Sequence, residues 1–204
     1  MARDFTDFIA RLDAGGPVRV AGLGDSLTDG WQVRRGFFPR FVDGLRARWP
    51  RAEILADQAG VPGDTAAGGR QRVAGLAARR PDLTSVQFGI NDCFAGVEPA
   101  AFSRDLRAIA AALVAAGSQV VLCTSCSVAH LDEAALIAPY YAAIEALGPE
   151  LELPLASLHR YWDRSAGADE GLFGWDGIHP TDAGHRVMAE GLLAAVIGAG
   201  QEET

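Results

Sequence analysis

The stretch "VAGLGDSLTDG", residues 20–30, runs from apolar residues into Gly-Asp-Ser-Leu and then into small and polar residues. This pattern is typical of a buried β-strand that ends in a turn, and it places Ser26 where the strand ends. A serine at this place can cap a helix, line a phosphate-binding loop or act as a nucleophile. The rest of the chain distinguishes these three roles.

Short apolar or β-branched runs alternate with longer segments of helical periodicity along the chain. The runs predict five strands, at residues 18–23, 52–57, 84–89, 119–124 and 153–158. Apolar residues at helical spacing predict a helix that includes Phe102, Leu106, Ile109 and Leu113. Further helices are expected near residues 38–48, 66–79, 134–148 and 182–198, the last capped by Thr181.

Strands that alternate with helices in this way predict a parallel sheet covered by helices on both faces. Five strands in 204 residues indicate an α/β fold. We expect a flavodoxin-like, three-layer α/β/α sandwich with a five-stranded parallel sheet. A single domain over residues 1–204 accommodates it, since the sequence shows no linker or repeat.

Four polar or small residues follow the ends of the predicted strands. Ser26 follows the first strand, Gly63 the second and Asn91 the third, and His179 ends a long irregular stretch, residues 157–180. In parallel sheets of this type, ligands bind outside the carboxyl ends of the strands. We therefore expect all four residues to meet at one rim.

Phosphate binding does not account well for the turn at Ser26. A dinucleotide-binding turn has the pattern G-x-G-x-x-G, and here Gly22 and Gly24 are followed by Leu27 in place of the third glycine. The P-loop signature G-K-[ST] does not occur in the sequence. Flavin binding at the same rim stays an alternative that rests on the fold alone.

Nucleophilic catalysis gains support from "GWDGIHPTDAGH", where Asp176 precedes His179 by three residues. A carboxylate and an imidazole at this spacing on a tight loop can face each other, so that Asp176 orients the ring and His179 takes the proton of Ser26. Asp25, beside the serine, is predicted to be a turn or capping residue. The other histidines lack such a neighbour and are predicted to be surface or packing residues; they are His130, His159 and His185.

Four sequence blocks, in order, resemble those of the GDSL hydrolases, also called the SGNH superfamily. They are "GDSLTDG" with Ser26, "QAGVPGDT" with Gly63, "GIND" with Asn91 and "DGIHP" with Asp176 and His179, and the likeness covers nearly the whole chain. The resemblance implies that Ser26 is the nucleophile of a triad with His179 and Asp176. It also implies an oxyanion hole formed by Ser26, Gly63 and Asn91.

An activity and its alternatives follow from this resemblance. It implies a serine esterase or acylhydrolase that cleaves carboxylic ester or thioester bonds of a small-molecule acyl substrate, without metal or cofactor. A carbohydrate O-acetylesterase of the same superfamily is the alternative within enzymes, and a non-catalytic flavodoxin-like binding module is the alternative outside them. Gln58 stands where the family usually has asparagine, and its longer amide is expected to hold the Gly63 loop differently.

Charge and hydropathy argue against a nucleic-acid or membrane partner. The chain has 18 Lys and Arg against 26 Asp and Glu, a formal net charge of −8, so no surface that concentrates positive charge is expected. The basic run at residues 70–80 is predicted to be the solvated face of one helix. No window approaches the ~18 apolar residues of a membrane span, and the first residues lack the apolar core of a signal peptide. These features predict a cytoplasmic protein.

Three cysteines, an odd number without the spacing of a disulfide scaffold, agree with a reducing compartment. Cys123, Cys126 and His130 have a superficial zinc-like spacing, but a structural site needs a fourth ligand that the sequence does not offer. Cys123 is therefore predicted to lie in a buried strand and Cys126 at its end, both as small hydrophobic residues. Cys93, two residues after Asn91, is predicted to lie either near the mouth of the site or in an ordinary buried position.

Overall fold

A computed structural model describes residues 5–165 and 171–198 of the chain. Its sheet has five parallel strands, in the spatial order β2-β1-β3-β4-β5. The strands are β1 (Pro17–Gly24), β2 (Glu53–Gly60), β3 (Leu83–Gln87), β4 (Gln119–Cys123) and β5 (Leu155–Ala156). All five predicted strands are confirmed, as is the α/β class.

Nine helices lie within the described residues. They are α1 (Thr6–Ala14), α2 (Ser26–Asp29), α3 (Phe37–Arg48), α4 (Ala66–Ala77), α5 (Ile90–Phe94), α6 (Pro99–Ala115), α7 (Leu131–Glu150), α8 (Leu158–Ser165) and α9 (Asp182–Gly198). The five predicted helices correspond to α3, α4, α6, α7 and α9. The predicted cap of α9 is confirmed, since the Gly184 N–H donates to Thr181 Oγ1 at 3.3 Å. None of the helices in the described part of the chain is long and apolar enough to cross a membrane.

The helices form one layer on each face of the sheet. Adjacent residues of β4 point to opposite faces, and Val121 belongs to one apolar cluster while Val120 belongs to the other. The first cluster joins α1, α3 and α9 to the sheet, and the second joins α4 and α6. The predicted three-layer α/β/α sandwich is therefore confirmed.

The strand order places a crevice beside β1. From β1 the chain adds β2 on one side and then crosses to β3 on the other. At such a switch point the connections leave the two central strands in opposite directions, which opens a crevice outside their carboxyl ends. Ser26 follows β1 and Asn91 follows β3, so both lie at this crevice.

The stretch 157–180, predicted to be irregular throughout, contains the helix α8. Leu158 and Trp162 lie one helical turn apart and are both buried, which anchors α8 to the first apolar cluster. The segment 166–170 of this stretch lies outside the described residues. Residues 171–180 form the irregular segment that carries His179, as expected.

Candidate active site

Ser26 lies where β1 passes through Asp25 into the short helix α2. Asp25 caps this helix, because its carboxyl oxygen accepts a hydrogen bond from the Leu27 N–H at 2.9 Å. Gly30 ends the helix in the left-handed conformation, with φ 84°. The cap and the turn hold Ser26 in a largely buried position, with 8% of its surface exposed. The predicted capping role of Asp25 is confirmed.

His179 reaches Ser26 from the far end of the chain. Ser26 Oγ lies 2.9 Å from His179 Nε2, and His179 Nδ1 lies 2.7 Å from Asp176 Oδ2. A carboxylate only accepts hydrogen bonds, so the proton belongs on Nδ1 and Nε2 is free to accept from the serine hydroxyl. The three residues, which the sequence separates widely, are thus joined in one hydrogen-bonded series.

The Asp176 carboxyl is ionised although it is partly buried. Burial raises its pKa, but the N–H groups of His179 and Ile178 and the imidazole of His179 lower it more, so the pKa lies below its ordinary value of 3.8. The two backbone N–H groups donate to Oδ1 at 2.9 and 3.0 Å, which leaves Oδ2 for the ring. An ionised carboxylate in this place can orient the ring and balance an imidazolium charge.

Gly63 and Asn91 lie side by side at the ends of β2 and β3. Gly63 has φ 77°, a conformation that favours glycine, and a Cβ at this position would meet no atom within 4 Å. The Val61 N–H donates to the Gly24 carbonyl at 3.1 Å, which ties the Gly63 loop to the end of β1. Asn91 Nδ2 donates to the carbonyl of Asp64 at 2.9 Å, so its amide is held next to Gly63.

The remaining histidines have packing or surface positions, as predicted. His185 is fully buried in α9, where its Nδ1 accepts from the Phe37 N–H at 3.1 Å. His159 pairs through Nδ1 with Thr124 Oγ1 at 2.9 Å. His130 is exposed.

The cysteines do not form a metal site. Cys123 and Cys126 are buried free thiols, as predicted, and burial raises the pKa of Cys123 to about 12. Within residues 5–165 and 171–198, no three His, Cys, Asp or Glu side chains converge so that they could hold a metal ion. Cys93 is half-buried against both apolar clusters. Its pKa is raised by burial, which disfavours the reactive thiolate.

Sequence reasoning missed a buried polar network next to Ser26. Gln87, in β3, accepts from Thr28 Oγ1 at 2.8 Å, and its Nε2 donates to Asp25 at 3.0 Å and to Ser125 at 2.9 Å. Burial raises the pKa of Asp25 to about 7. The available signal was the glutamine itself, because a polar side chain inside a buried strand needs hydrogen-bond partners.

Sequence reasoning also assigned two side chains to the wrong surroundings. Gln58 donates to the carbonyls of Thr28, at 3.1 Å, and of Asp29, so it holds the helix after Ser26 and not the Gly63 loop. In the basic run 70–80, Arg72 reaches the carboxyl ends of the strands, where it donates to the Gly24 carbonyl at 2.8 Å. A periodic pattern identifies the face of a helix but not the reach of a long side chain, which explains the second error.

Comparisons with known proteins identify a family and a fold. The model of the GDSL-like Lipase/Acylhydrolase family matches residues 23–187. Comparison with curated proteins gives no match.

Several solved structures have the same fold. Axe2, an acetylxylan esterase from Geobacillus stearothermophilus, is 20% identical with a TM-score of 0.79, over 88% of this chain and 94% of that one. TesA is 22% identical with a TM-score of 0.75, over 89% of this chain and 99% of that one. LAE5, an alpha/beta hydrolase enzyme from the metagenome of Lake Arreo, Spain, is 22% identical with a TM-score of 0.79, over 90% and 97%. At these identities the likeness establishes the fold.

Proposed function

Since the chain belongs to the GDSL-like Lipase/Acylhydrolase family and is a carboxylic ester hydrolase, we propose that it cleaves esters through an acyl-enzyme on Ser26. The observation that supports this most directly is the series Ser26 Oγ–His179 Nε2–Asp176, with separations of 2.9 and 2.7 Å. A hydroxyl within hydrogen-bond reach of a base that a third group orients is the arrangement of an activated nucleophile.

In the first half of the reaction, Ser26 Oγ attacks the carbonyl carbon of the ester while its proton passes to His179 Nε2. The carbonyl oxygen gains the electron pair of the broken π bond and becomes an oxyanion. When this tetrahedral species collapses, the bond to the alcohol oxygen breaks and His179 returns the proton to the leaving alkoxide. The alcohol departs and the acyl group stays on Ser26.

In the second half, water takes the place of the serine hydroxyl. His179 removes a proton from the water, whose oxygen attacks the acyl carbon and forms a second oxyanion. Collapse then breaks the bond to Ser26 Oγ, which recovers the proton from His179, and the carboxylic acid leaves. Asp176 stays ionised throughout and balances the imidazolium that forms in each half.

Three donors are proposed to hold the oxyanion: the backbone N–H groups of Ser26 and Gly63 and the Asn91 side-chain amide. An amide nitrogen carries two N–H groups, and the Asn91 amide commits one of them to the Asp64 carbonyl, which orients the other. The uncharged amide adds no repulsion to the oxyanion. Removing one such donor costs about 3–4 kcal/mol of transition-state stabilisation in well-studied hydrolases.

The substrate is proposed to be a small acyl ester with an apolar portion. Large apolar side chains are exposed on the segments that follow β1, β2 and β3 and immediately before Asp176; they are Trp31, Val61, Phe94, at the end of α5, and Trp175. Trp175 is 86% exposed, and an exposed indole next to the site provides apolar area for a substrate. Initial rates on 4-nitrophenyl esters of increasing acyl length and on acetylated sugars would separate a general acyl esterase from a carbohydrate O-acetylesterase.

Covalent labelling tests the proposed nucleophile. A fluorophosphonate should add to Ser26, and Ser26→Ala should lose both the label and the turnover of a short-chain ester. Ser127→Ala is the matched control, since Ser127 also carries a hydrogen-bonded hydroxyl, 2.6 Å from Asp163, and should label as the wild type does. Labelling that survives in Ser26→Ala would exclude Ser26 as the nucleophile.

A further inference from the structure

The side chain of Arg72 connects three segments at the rim of the sheet. Arg72 lies in α4, and its guanidinium extends back over the carboxyl ends of the strands. Nη2 donates to the Gly24 carbonyl at 2.8 Å, Nη1 donates to the Ala59 carbonyl at 2.6 Å and Nε donates to Asp64 Oδ2 at 2.8 Å. The planar fork of an arginine suits such a set of acceptors, whereas a lysine could not reach all three at once.

Two of these three acceptors, Gly24 and Asp64, are close in the chain to a proposed oxyanion donor. Gly24 precedes Ser26 by two residues, and Asp64 follows Gly63 directly. The Asp64 carbonyl accepts the Asn91 amide at 2.9 Å. A shift of the guanidinium would therefore be passed to all three donors, although Arg72 itself contacts none of them.

The Asp64 carboxylate accepts one further hydrogen bond and has little free space around it. The Thr65 N–H donates to Asp64 Oδ1 at 3.0 Å. A Cβ at Gly68 would lie 1.8 Å from the same oxygen, so only glycine leaves room for it. The ion pair is also sheltered, with 27% of the Arg72 side chain and 14% of the Asp64 side chain exposed.

We propose that Arg72 is a positioning residue for the oxyanion hole, which it assembles by joining the ends of β1 and β2 to Asp64. This inference rests on the proposed function, since it concerns the donors of that reaction. Preorganised donors stabilise a transition state because they need no reorientation when charge develops. A misplacement of about 1 Å can reduce the rate on the order of 10²-fold. Loss of the Arg72 hydrogen bonds should therefore lower kcat rather than weaken substrate binding.

Arg79 provides a matched control. It lies just beyond the C-terminal end of α4, and its guanidinium pairs with Asp57 of β2 at 2.8 Å. Arg79→Gln therefore removes an arginine-to-β2 contact without touching Gly24, Ala59 or Asp64. Any effect that comes only from loosening α4 against the sheet should be seen in both variants.

The experiment compares an ester with its thionoester, in which sulfur replaces the carbonyl oxygen. Sulfur is larger and accepts hydrogen bonds more weakly, so an intact oxyanion hole favours the oxygen ester, and this preference measures the alignment of the donors. We expect Arg72→Gln to lower kcat on the oxygen ester about 10- to 100-fold with little change in KM. The ratio of kcat/KM between ester and thionoester should fall at least fivefold, and Arg79→Gln should keep the wild-type ratio.

Two further variants test the same ratio if Arg72→Gln folds poorly. Asp64→Asn weakens the charged contact to Nε while leaving the strand carbonyls bound, and it should lower the same ratio to a smaller extent. Arg72→Lys retains the charge but not the fork, and should fail to restore the ratio. Equal losses on both esters, or a wild-type ratio in a folded Arg72→Gln, would overturn the inference. Full activity in Ser26→Ala would instead contradict the proposed function, so the two failures are distinct.

Discussion

At the scale of single residues, Asp176 has two separate tasks, one for each carboxylate oxygen. Oδ1 shapes the loop by accepting the N–H groups of Ile178 and His179, and Oδ2 faces His179 Nδ1. An asparagine can keep the first task, because its carbonyl oxygen still accepts. It cannot keep the second, because its NH₂ group would face the ring nitrogen as a donor.

Asp176→Asn should therefore leave the fold intact and lower kcat on the order of 10³- to 10⁴-fold. The amide favours the tautomer that carries its proton on His179 Nε2. A protonated Nε2 cannot accept a hydrogen bond from Ser26. Steady-state kinetics together with a thermal unfolding curve measure both effects. Asp182→Asn is the control, since Asp182 is a largely exposed aspartate that pairs with Arg40, and it should retain activity. Near wild-type turnover in Asp176→Asn would reduce the catalytic unit to Ser26 and His179.

At the scale of elements, the four-residue helix α2 depends on its neighbours for its position. Such a short helix is not stable alone, and three contacts hold it: the Asp25 cap, the Gln58 amide and the end of β2. The last contact is backbone to backbone. A Cβ on Gly60 would lie 2.2 Å from the Asp29 nitrogen and 2.7 Å from its Cα, so β2 approaches α2 more closely than any side chain allows.

Gly60→Ala should separate β2 from α2 and displace Ser26. We expect the free energy of unfolding to fall by about 1–3 kcal/mol, as for other overpacked sites, and turnover to fall on the order of 10²-fold. Gly75→Ala in α4 is the control, because a Cβ there meets nothing within 4 Å; it should stabilise by about 0.5–1 kcal/mol and leave turnover unchanged. Denaturant unfolding and ester hydrolysis measure both. Wild-type turnover in Gly60→Ala would show that α2 tolerates the shift.

The central strands were readily predicted from the sequence because their burial is nearly continuous. In "QVVLC" of β4 four successive residues are buried, since the strand is covered on both faces, and such a run is distinctive. The helix α8 was missed because few of its residues are apolar and a run rich in glycine and acidic residues follows it.

At the site, the spacing of Asp176 and His179 was informative because the two act within one short loop. Arg72 and Gln87 were missed because their partners lie on other elements, and sequence spacing does not encode such contacts.

At the scale of the whole molecule, buried titratable groups make stability depend on pH in opposing directions. Burial raises the pKa of Asp25 from its ordinary 3.8 to about 7 and that of Asp92 to about 6. Burial also lowers the pKa of His185 from 6.5 to about 4. Between its ordinary pKa and its pKa in the folded protein, each group binds a proton in only one of the two states, folded or unfolded. The free energy of unfolding then changes with pH by up to ~1.4 kcal/mol per pH unit for each group.

The direction in which stability changes with pH differs between the buried aspartates and the buried histidine. Between pH 3.8 and 7, folded Asp25 keeps a proton that the unfolded chain has lost, so its contribution is fully present below pH 3.8 and is lost as pH rises to 7. Between pH 4 and 6.5, unfolded His185 holds a proton that the folded chain excludes, so its contribution increases with pH over that window. Between pH 4 and 6.5 the rise from His185 opposes the fall from Asp25, and Asp92 adds to the fall up to about pH 6. Above pH 6.5 only the fall from Asp25 continues.

Asp25→Asn and His185→Gln should therefore change the slope of stability against pH in opposite directions. Asparagine keeps the acceptor for the Leu27 N–H, and glutamine can offer one to the Phe37 N–H, so both variants retain a local hydrogen bond while they lose the titration. The stability of wild type relative to Asp25→Asn should fall from pH 4 to pH 7, and its stability relative to His185→Gln should rise from pH 4 to pH 6.5. Urea unfolding at half-unit pH intervals measures both differences, and a constant offset between the curves reports packing alone. Parallel curves for wild type and Asp25→Asn would mean that Asp25 is ionised in the folded protein, and that Gln87 and the α2 cap suffice to hold a buried carboxylate next to Ser26.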